Sequence, residues 1–448
     1  MNKLVFALIF PSMLFAYESS ISLQEYKERR TELCHKVQQE GRVKSGVIVL
    51  IANFDDDVDS RYPIVQERNF YYYTGVELPG AVLVLEFSGK TTLYIQNNSS
   101  VYQHFTEHCF DTSKACAERI GVDEIKYLGE DTNIRCMSPF VSVGEYGNFI
   151  VFLQKQINQG KKIVTGYPLK KTGYVLQKCL LNHLSKNFVY NLDQAIVDCS
   201  DLIISMRLCK TDGEIQCMRH AHEISEQAHR ALAQAVLPGK NEGDLDGVFR
   251  TVCKLAGTEL SYPPIIASGK NGTILHYNTN DQPLVAGDLI VVDAGLHVDY
   301  GCTDITRTYP VSGRFTARQK KLYQYVLDCQ TYIASIAKPG MYVKNPKHPD
   351  KCLNTLAHKF LAEYGVDQYF SHSLGHYLGT DVHDVGDYSQ PLAVGNVFTI
   401  EPGVYIADES VGIRIEDNYL VTEDGVTCLS ESLPKSIEAI EEMVSVKI

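Results

Sequence analysis

Asp288-Leu-Ile-Val-Val-Asp293-Ala-Gly295 is an apolar run that ends in a carboxylate, and Tyr300-Gly-Cys-Thr-Asp304-Ile-Thr-Arg-Thr308 follows it closely. Leu289 to Val292 read as a buried strand, because an unbroken apolar run bounded by polar residues fits a strand covered on both faces. A hairpin turning at Val298-Asp299 would pair residue 297 with 300, 296 with 301, and so on until Asp293 pairs with Asp304. Directly opposed side chains in such a ladder have Cβ atoms about 4.5–5.5 Å apart. Two carboxylates so placed repel unless something positive sits between them.

Three further segments carry similar chemistry. Ser371-His372-Ser-Leu-Gly-His376-Tyr-Leu-Gly-Thr-Asp-Val-His383-Asp384 holds three of the chain's 14 histidines. His372 and His376 are four apart, but Gly375 argues against a helix and no Glu follows the first His, so a zincin-type motif is excluded. Phe398-Thr-Ile-Glu401-Pro-Gly403 is an apolar strand ending in a carboxylate before a turn. In Gly412-Ile-Arg414-Ile-Glu416-Asp417, strand alternation puts Arg414 and Glu416 on one face. Together Asp293, Asp304, Glu401 and Glu416 carry a charge of about −4, which two divalent cations balance, with His376 as a nitrogen ligand. The oxygen-rich set favours Mn2+ or a similar hard ion, with Co2+ or Zn2+ as alternatives.

These segments resemble the metallopeptidases of the pita-bread fold, most closely the Xaa-Pro aminopeptidases (aminopeptidase P). The resemblance runs through His276-Tyr-Asn-Thr-Asn280, the Asp293 strand, Asp304-Ile-Thr-Arg-Thr-Tyr-Pro-Val, the His372–Gly386 stretch, Glu401-Pro-Gly-Val-Tyr405 and Gly-Ile-Arg414-Ile-Glu416-Asp. In the first region it continues through Tyr62-Pro63, Gln66, Asn69-Phe-Tyr-Tyr-Tyr-Thr-Gly75 and Pro79-Gly-Ala-Val-Leu-Val-Leu85. It implies an α/β N-terminal domain followed by an α+β pita-bread (creatinase/aminopeptidase) catalytic domain. It also implies that Asp293 binds one metal and His376 and Glu401 the other, with Asp304 and Glu416 bridging. A hydroxide between the two ions would attack the scissile carbonyl, and Glu401 would carry a proton to the departing nitrogen. His276 and His383 are expected to stabilise the oxyanion and orient the peptide. His372 and Arg414 are expected to shape the proline pocket or hold Glu416. The resemblance matches Asp59 to an acidic substrate contact, and Tyr71-Tyr73 read as core.

The rest of the chain sets the frame. A length of 448 residues suggests two or three domains. With 44% apolar and 21% charged residues it is an ordinary globular composition, which excludes disorder and low complexity. The net charge of −12 makes nucleic acid a poor partner. No apolar run reaches the roughly 18 residues needed to span a bilayer. Gly46-Val-Ile-Val-Leu-Ile51 and Ala81-Val-Leu-Val-Leu-Glu86 read as buried strands, and Glu25 to Glu40 as helix-compatible. Thr211-Asp-Gly-Glu214 is a capping box, and Ile215, Met218, Ala221, Ile224, Ala228, Ala231, Leu232 and Ala235 then mark one helix face as far as Pro238-Gly239. The expected division is residues 17–195 and 196–448, after a signal peptide at 1–16 in which Lys3 precedes an apolar stretch ending at Ala16. That leader points to export, periplasmic or secreted. The 13 scattered cysteines, an odd number with no C-x-x-C pair, suit a reducing cytoplasm better.

The main expectation is release of the first residue from peptides with proline second, by a homo-oligomer (dimer or tetramer). Three other readings compete: an Xaa-Pro dipeptidase (prolidase) with the same metals, a creatinase-like enzyme working without metal, and a pita-bread domain reused as a binding module. The complete ligand set argues against the last two, and the large first region against a methionine aminopeptidase.

Overall fold

The computed structural model describes residues 19–54, 65–97, 110–130, 138–166 and 175–445. The expected leader at 1–16, Asp59 and Tyr62-Pro63 lie outside them. The chain forms two compact units, one built from Ile21–Met206 and the other from Arg207 onward.

The first unit is organised by a six-stranded sheet. In spatial order its strands are Glu124–Tyr127, Thr91–Ile95, Val82–Glu86, Gly46–Ile51, Lys162–Thr165 and Ile196–Asp198. Gly46–Ile51 pairs antiparallel with Val82–Glu86 and parallel with Lys162–Thr165. Alternation along these strands sends Ile48, Leu50, Leu83 and Leu85 to one face and Val47, Val49, Ile51, Val82 and Val84 to the other. Helix Leu23–Gln39 covers the first face through Leu33 and Val37, and helices Val143–Asn158 and Val175–Asn187 cover the second through Phe149, Leu153, Leu180 and Leu184. Both faces are buried, which is why these strands are apolar throughout rather than alternating. Tyr71, Tyr72 and Tyr73 are buried within this unit. The unit runs eleven residues past the expected 195 because Ile196–Asp198 is its sixth strand and Leu202 and Ile203 pack into its core.

The second unit opens with helix Asp212–Ala235, capped by Thr211 and Glu214 in a reciprocal capping box. Its apolar stripe and that of helix Glu242–Leu255 pack into one core with helices Ala317–Ile336, Leu353–Ala362 and Ile437–Ser445. Strand Leu289–Ala294 lies between Ile305–Pro310 and Ile265–Ser268, antiparallel to both. Val397–Ile400 pairs with Asp417–Val421, and Gly403–Ile406 with Val411–Arg414.

The hairpin register differs from the expected one. His297 pairs with Cys302 and Val298 with Gly301, so the turn residues are Asp299 and Tyr300, at φ 46° and 62°. A two-residue turn with both central φ positive matches the strand twist, and Val298, being β-branched, is unsuited to such a position. The ladder therefore continues with Ala294 opposite Ile305 and Asp293 opposite Thr306. Asp304 is two residues from Thr306 on the same face, so the two aspartates are diagonal neighbours rather than direct opposites.

Candidate metal centre

Four backbone pairings assemble the site. Thr306 is opposite Asp293 on one side and bridges to Glu416 on the other, with Glu416 N–H donating to Thr306 O at 3.0 Å. Asp417, next to Glu416, pairs with Ile400, next to Glu401. The segment before His376 runs along the strand ending at Ile400: Thr399 N–H donates to His376 O at 2.9 Å and Glu401 N–H to Leu374 O at 2.8 Å. This approach needs Gly375, since a Cβ there would run into the Thr399 carbonyl.

Asp293, Asp304 and Glu416 are buried. Ligand atoms of Asp304, His376 and Glu416 lie within 4.8 Å of one another. His376 Nε2 is 3.3 Å from Asp304 Oδ2 and 3.6 Å from Glu401 Oε1. Its Nδ1 lies 3.1 Å from the Tyr377 carbonyl, which accepts the Nδ1 proton and leaves Nε2 turned toward the carboxylates. Asp293 joins the group through Tyr262, whose hydroxyl is 2.5 Å from Asp293 Oδ1 and 2.6 Å from Asp304 Oδ1.

Electrostatics follow from burial and crowding. Burial pushes Glu416 well above the usual carboxylate range, and Asp304, Glu401 and Asp293 add to it. Burial likewise lifts Glu401 to about 8 against the pull of His376 and Arg414. Asp293 is raised by burial, with Arg414 opposing. Burial also works on Asp304, but its bond to His376 prevails and holds it low. Burial would lower His376, yet Asp304 and Glu401 carry it up to about 9. Glu416 Oε1 is buried with no hydrogen-bond partner among the described residues. An orphaned carboxylate oxygen beside two other ligand atoms is the donor chemistry that fits a divalent cation.

The remaining expected residues surround this core. Arg414 donates from Nη2 to Asp293 Oδ2 at 2.7 Å and from Nη1 to Tyr405 Oη at 2.8 Å. Its direct hydrogen bond is to Asp293, and it acts on Glu416 by charge and through Thr306: Arg414 Nε donates to Thr306 Oγ1, and Thr306 Oγ1 donates to Glu416 Oε2 at 2.7 Å. His372 Nε2 lies 2.8 Å from Tyr405 Oη, and burial lowers the ring to about 4. The His383 ring stands edge-on to His376 at 4.3 Å and is exposed. His276 is also exposed, and lies near enough to His372 and His383 to disfavour a positive charge on either ring.

Sequence reasoning missed Tyr262 and Asn418. Asn418 accepts from Asp304 N–H at 3.0 Å, donates to Asp304 O at 2.5 Å, and meets His222 Nε2 at 2.7 Å. Nothing local marks Tyr262, 31 residues before Asp293. Asn418 follows Glu416 by alternation on its strand, which is the signal that finds it. A second set anchors the loop carrying His383: Asp384 is paired with Arg207 at 2.5 Å and Lys210 at 2.9 Å, all three buried.

Residues 216–423 match the model of metallopeptidase family M24, and residues 26–135 that of the aminopeptidase P N-terminal domain. The chain is 29% identical to the Xaa-Pro aminopeptidase of Haemophilus influenzae, over 97% of this chain and 100% of that one. It is 30% identical to the Xaa-Pro aminopeptidase of Escherichia coli, over 95% and 98%. Zinc-substituted aminopeptidase P of E. coli in complex with product superposes with a TM-score of 0.77 at 28% identity, covering 95% of this chain and 98% of that one. With both domain models matched in order and the likeness extending over nearly its whole length, the chain belongs to the Xaa-Pro aminopeptidases, pita-bread enzymes of metallopeptidase family M24.

Proposed function

We propose that this chain removes the N-terminal residue from peptides with proline in the second position, as a metal-dependent exopeptidase. The observation that carries the reading is the convergence of Asp293, Asp304, His376, Glu401 and Glu416, from separate stretches of sequence, around one buried acidic cluster. Asp293 would hold one ion, His376 and Glu401 the other, and Asp304 and Glu416 both. Two such cations supply an acidified water and a polarised carbonyl at neutral pH.

The protein's own groups do the rest. Glu401 lies between His376 and His372, whose Nδ1 is 3.6 Å from Glu401 Oε2, and is the group to carry a proton to the departing proline nitrogen. That nitrogen has no N–H and its bond tolerates the cis form, so the leaving group must be protonated in a pocket shaped for a ring. Arg414 and Tyr262 fix the two oxygens of Asp293. His383, edge-on to His376, and the exposed His276 would hold the substrate carbonyl oxygen. His372 and Tyr405, joined by a hydrogen bond, would line the pocket for the proline ring. The four-carboxylate set favours Mn2+. A homo-oligomer, dimer or tetramer, and export by an N-terminal leader complete the proposal.

The test is hydrolysis of Xaa-Pro and Xaa-Pro-Xaa peptides after chelation, dialysis and re-addition of Mn2+, Co2+ or Zn2+. Release of the first residue from the tripeptide, lost on chelation and restored by metal, is expected. Activity that survives prolonged chelation, or that is confined to dipeptides, would overturn the reading.

A further inference from the structure

Glu242 is fully buried at the first position of helix Glu242–Leu255, with no basic side chain paired to it among the described residues. Its carboxylate accepts five hydrogen bonds. Oε1 takes Ser268 N–H and Ser268 Oγ, both at 2.7 Å, and Asn271 Nδ2 at 3.4 Å. Oε2 takes Tyr277 Oη at 2.8 Å and Gln282 N–H at 3.0 Å. Its own N–H donates to Gln282 O at 2.9 Å. Every donor lies on the single segment 268–282. One carboxylate thus ties the start, the middle and the end of that segment together.

The segment carries His276. This imidazole is exposed and makes no hydrogen bond among the described residues, so the loop backbone alone sets where it stands. Tyr277, the next residue, is one of three whose side chains reach Glu242, with Ser268 and Asn271. Helix capping does not require Glu242, because Asn241 and Asp244 already form a reciprocal capping box. A buried carboxylate without a cation is costly unless its lone pairs are filled, and here all the filling donors come from the loop.

We propose that Glu242 is the positioning residue for His276: it clamps the loop 268–282 so that the imidazole stands against the substrate beside His372 and His383. This rests on the reading of His276 as substrate-facing. Glu242→Gln keeps the shape but turns an NH2 toward donors, and Tyr277→Phe removes one of the five bonds. In the metal-loaded enzyme acting on an Xaa-Pro-Xaa tripeptide, Glu242→Gln lowers kcat by about tenfold or more with KM changed less than about threefold, since a small misplacement of a catalytic group is costly in turnover. Tyr277→Phe acts in the same direction with a smaller loss. Bound metal per chain is unchanged in both. In a His276→Ala background neither substitution lowers kcat further. Additive losses in that background, wild-type kcat in both variants, or wild-type kcat in His276→Ala would overturn the proposal. If Glu242→Gln does not fold, the Tyr277→Phe cycle carries the test. Amide hydrogen exchange gives a readout independent of turnover. Faster exchange confined to 268–282 in the variants is expected, and unchanged exchange there would overturn the clamp even if the wild-type enzyme proved to cleave other peptides.

Discussion

The Thr306 hydroxyl donates to Glu416 Oε2 at 2.7 Å, while Glu416 Oε1 is buried with no hydrogen-bond partner among the described residues. Such an oxygen is an energetic debt in the metal-free fold, made larger by Asp304, Glu401 and Asp293 around it. Divalent metal therefore stabilises the folded chain. At a free ion concentration near one hundred times Kd, linkage gives about 2.7 kcal/mol. Thermal denaturation with Mn2+ and with chelator checks this. The melting temperature should rise with metal in the wild type and respond far less in Glu416→Gln. A melting temperature indifferent to metal would contradict the assignment.

Glu401→Ala should cut turnover by about 10²–10⁴-fold, the range for losing a general acid–base group, while the circular dichroism spectrum stays that of the wild type. Glu401 is flanked by His376 and His372 rather than by the hydrophobic core, so its truncation leaves the packing intact. Retained turnover on a tripeptide would remove it from proton transfer.

Asp384→Ala leaves Arg207 and Lys210 buried with their shared anion gone. Breaking a buried ion pair from one side costs about 3–5 kcal/mol. The unfolding free energy from a urea titration should fall by that amount. Lys210→Met should cost less, because Asp384 keeps Arg207. A shift under about 1 kcal/mol for Asp384→Ala would mean that the pair contributes no more than an exposed one.

Glu441 predicts a pH dependence of stability away from the site. Burial alone would raise its pKa. Bonds from Lys320 at 2.9 Å, Arg314 at 2.8 Å and the Phe315 N–H at 3.0 Å outweigh that and hold the carboxyl at about 2. A carboxyl depressed by folding binds its proton later in the native state than in the unfolded one. Its stabilisation is therefore complete above about pH 4.5 and lost as pH falls toward 2. The stability difference between wild type and Glu441→Gln should be flat near neutrality and shrink on acidification below 4.5. A difference that grows on acidification would contradict the ion pairs.

Much of this was legible in the sequence, and the parts that were not share a cause. The apolar runs at Gly46–Ile51 and Leu289–Val292 announced doubly buried strands, and Thr211 with Glu214 announced a helix start. Asp293, Asp304, Glu401 and Glu416 stood out because each ends or flanks an apolar strand, an uneconomical place for a carboxylate without a task, and His376 stood out as one of three histidines crowded between Ser371 and Asp384. The diagonal placement of the two aspartates was hidden because it depends on a turn at Asp299 and Tyr300, two non-glycine residues at positive φ. Tyr262 was hidden because a tyrosine far upstream carries no mark of the two oxygens it will meet. Arg414 was visible as a site residue, but its partner was not: strand alternation gives the face, while the choice of Asp293 over Glu416 comes from the strand order.

The central claim is that five side chains jointly hold a pair of divalent cations. Its most direct test is a crystal of this protein grown with Mn2+ and measured for anomalous scattering. Two peaks per chain are expected, one within ligand distance of Asp293 and the other within that of His376 and Glu401, with Asp304 and Glu416 reaching both. Saturating Mn2+ with no peak inside this cluster would contradict the account.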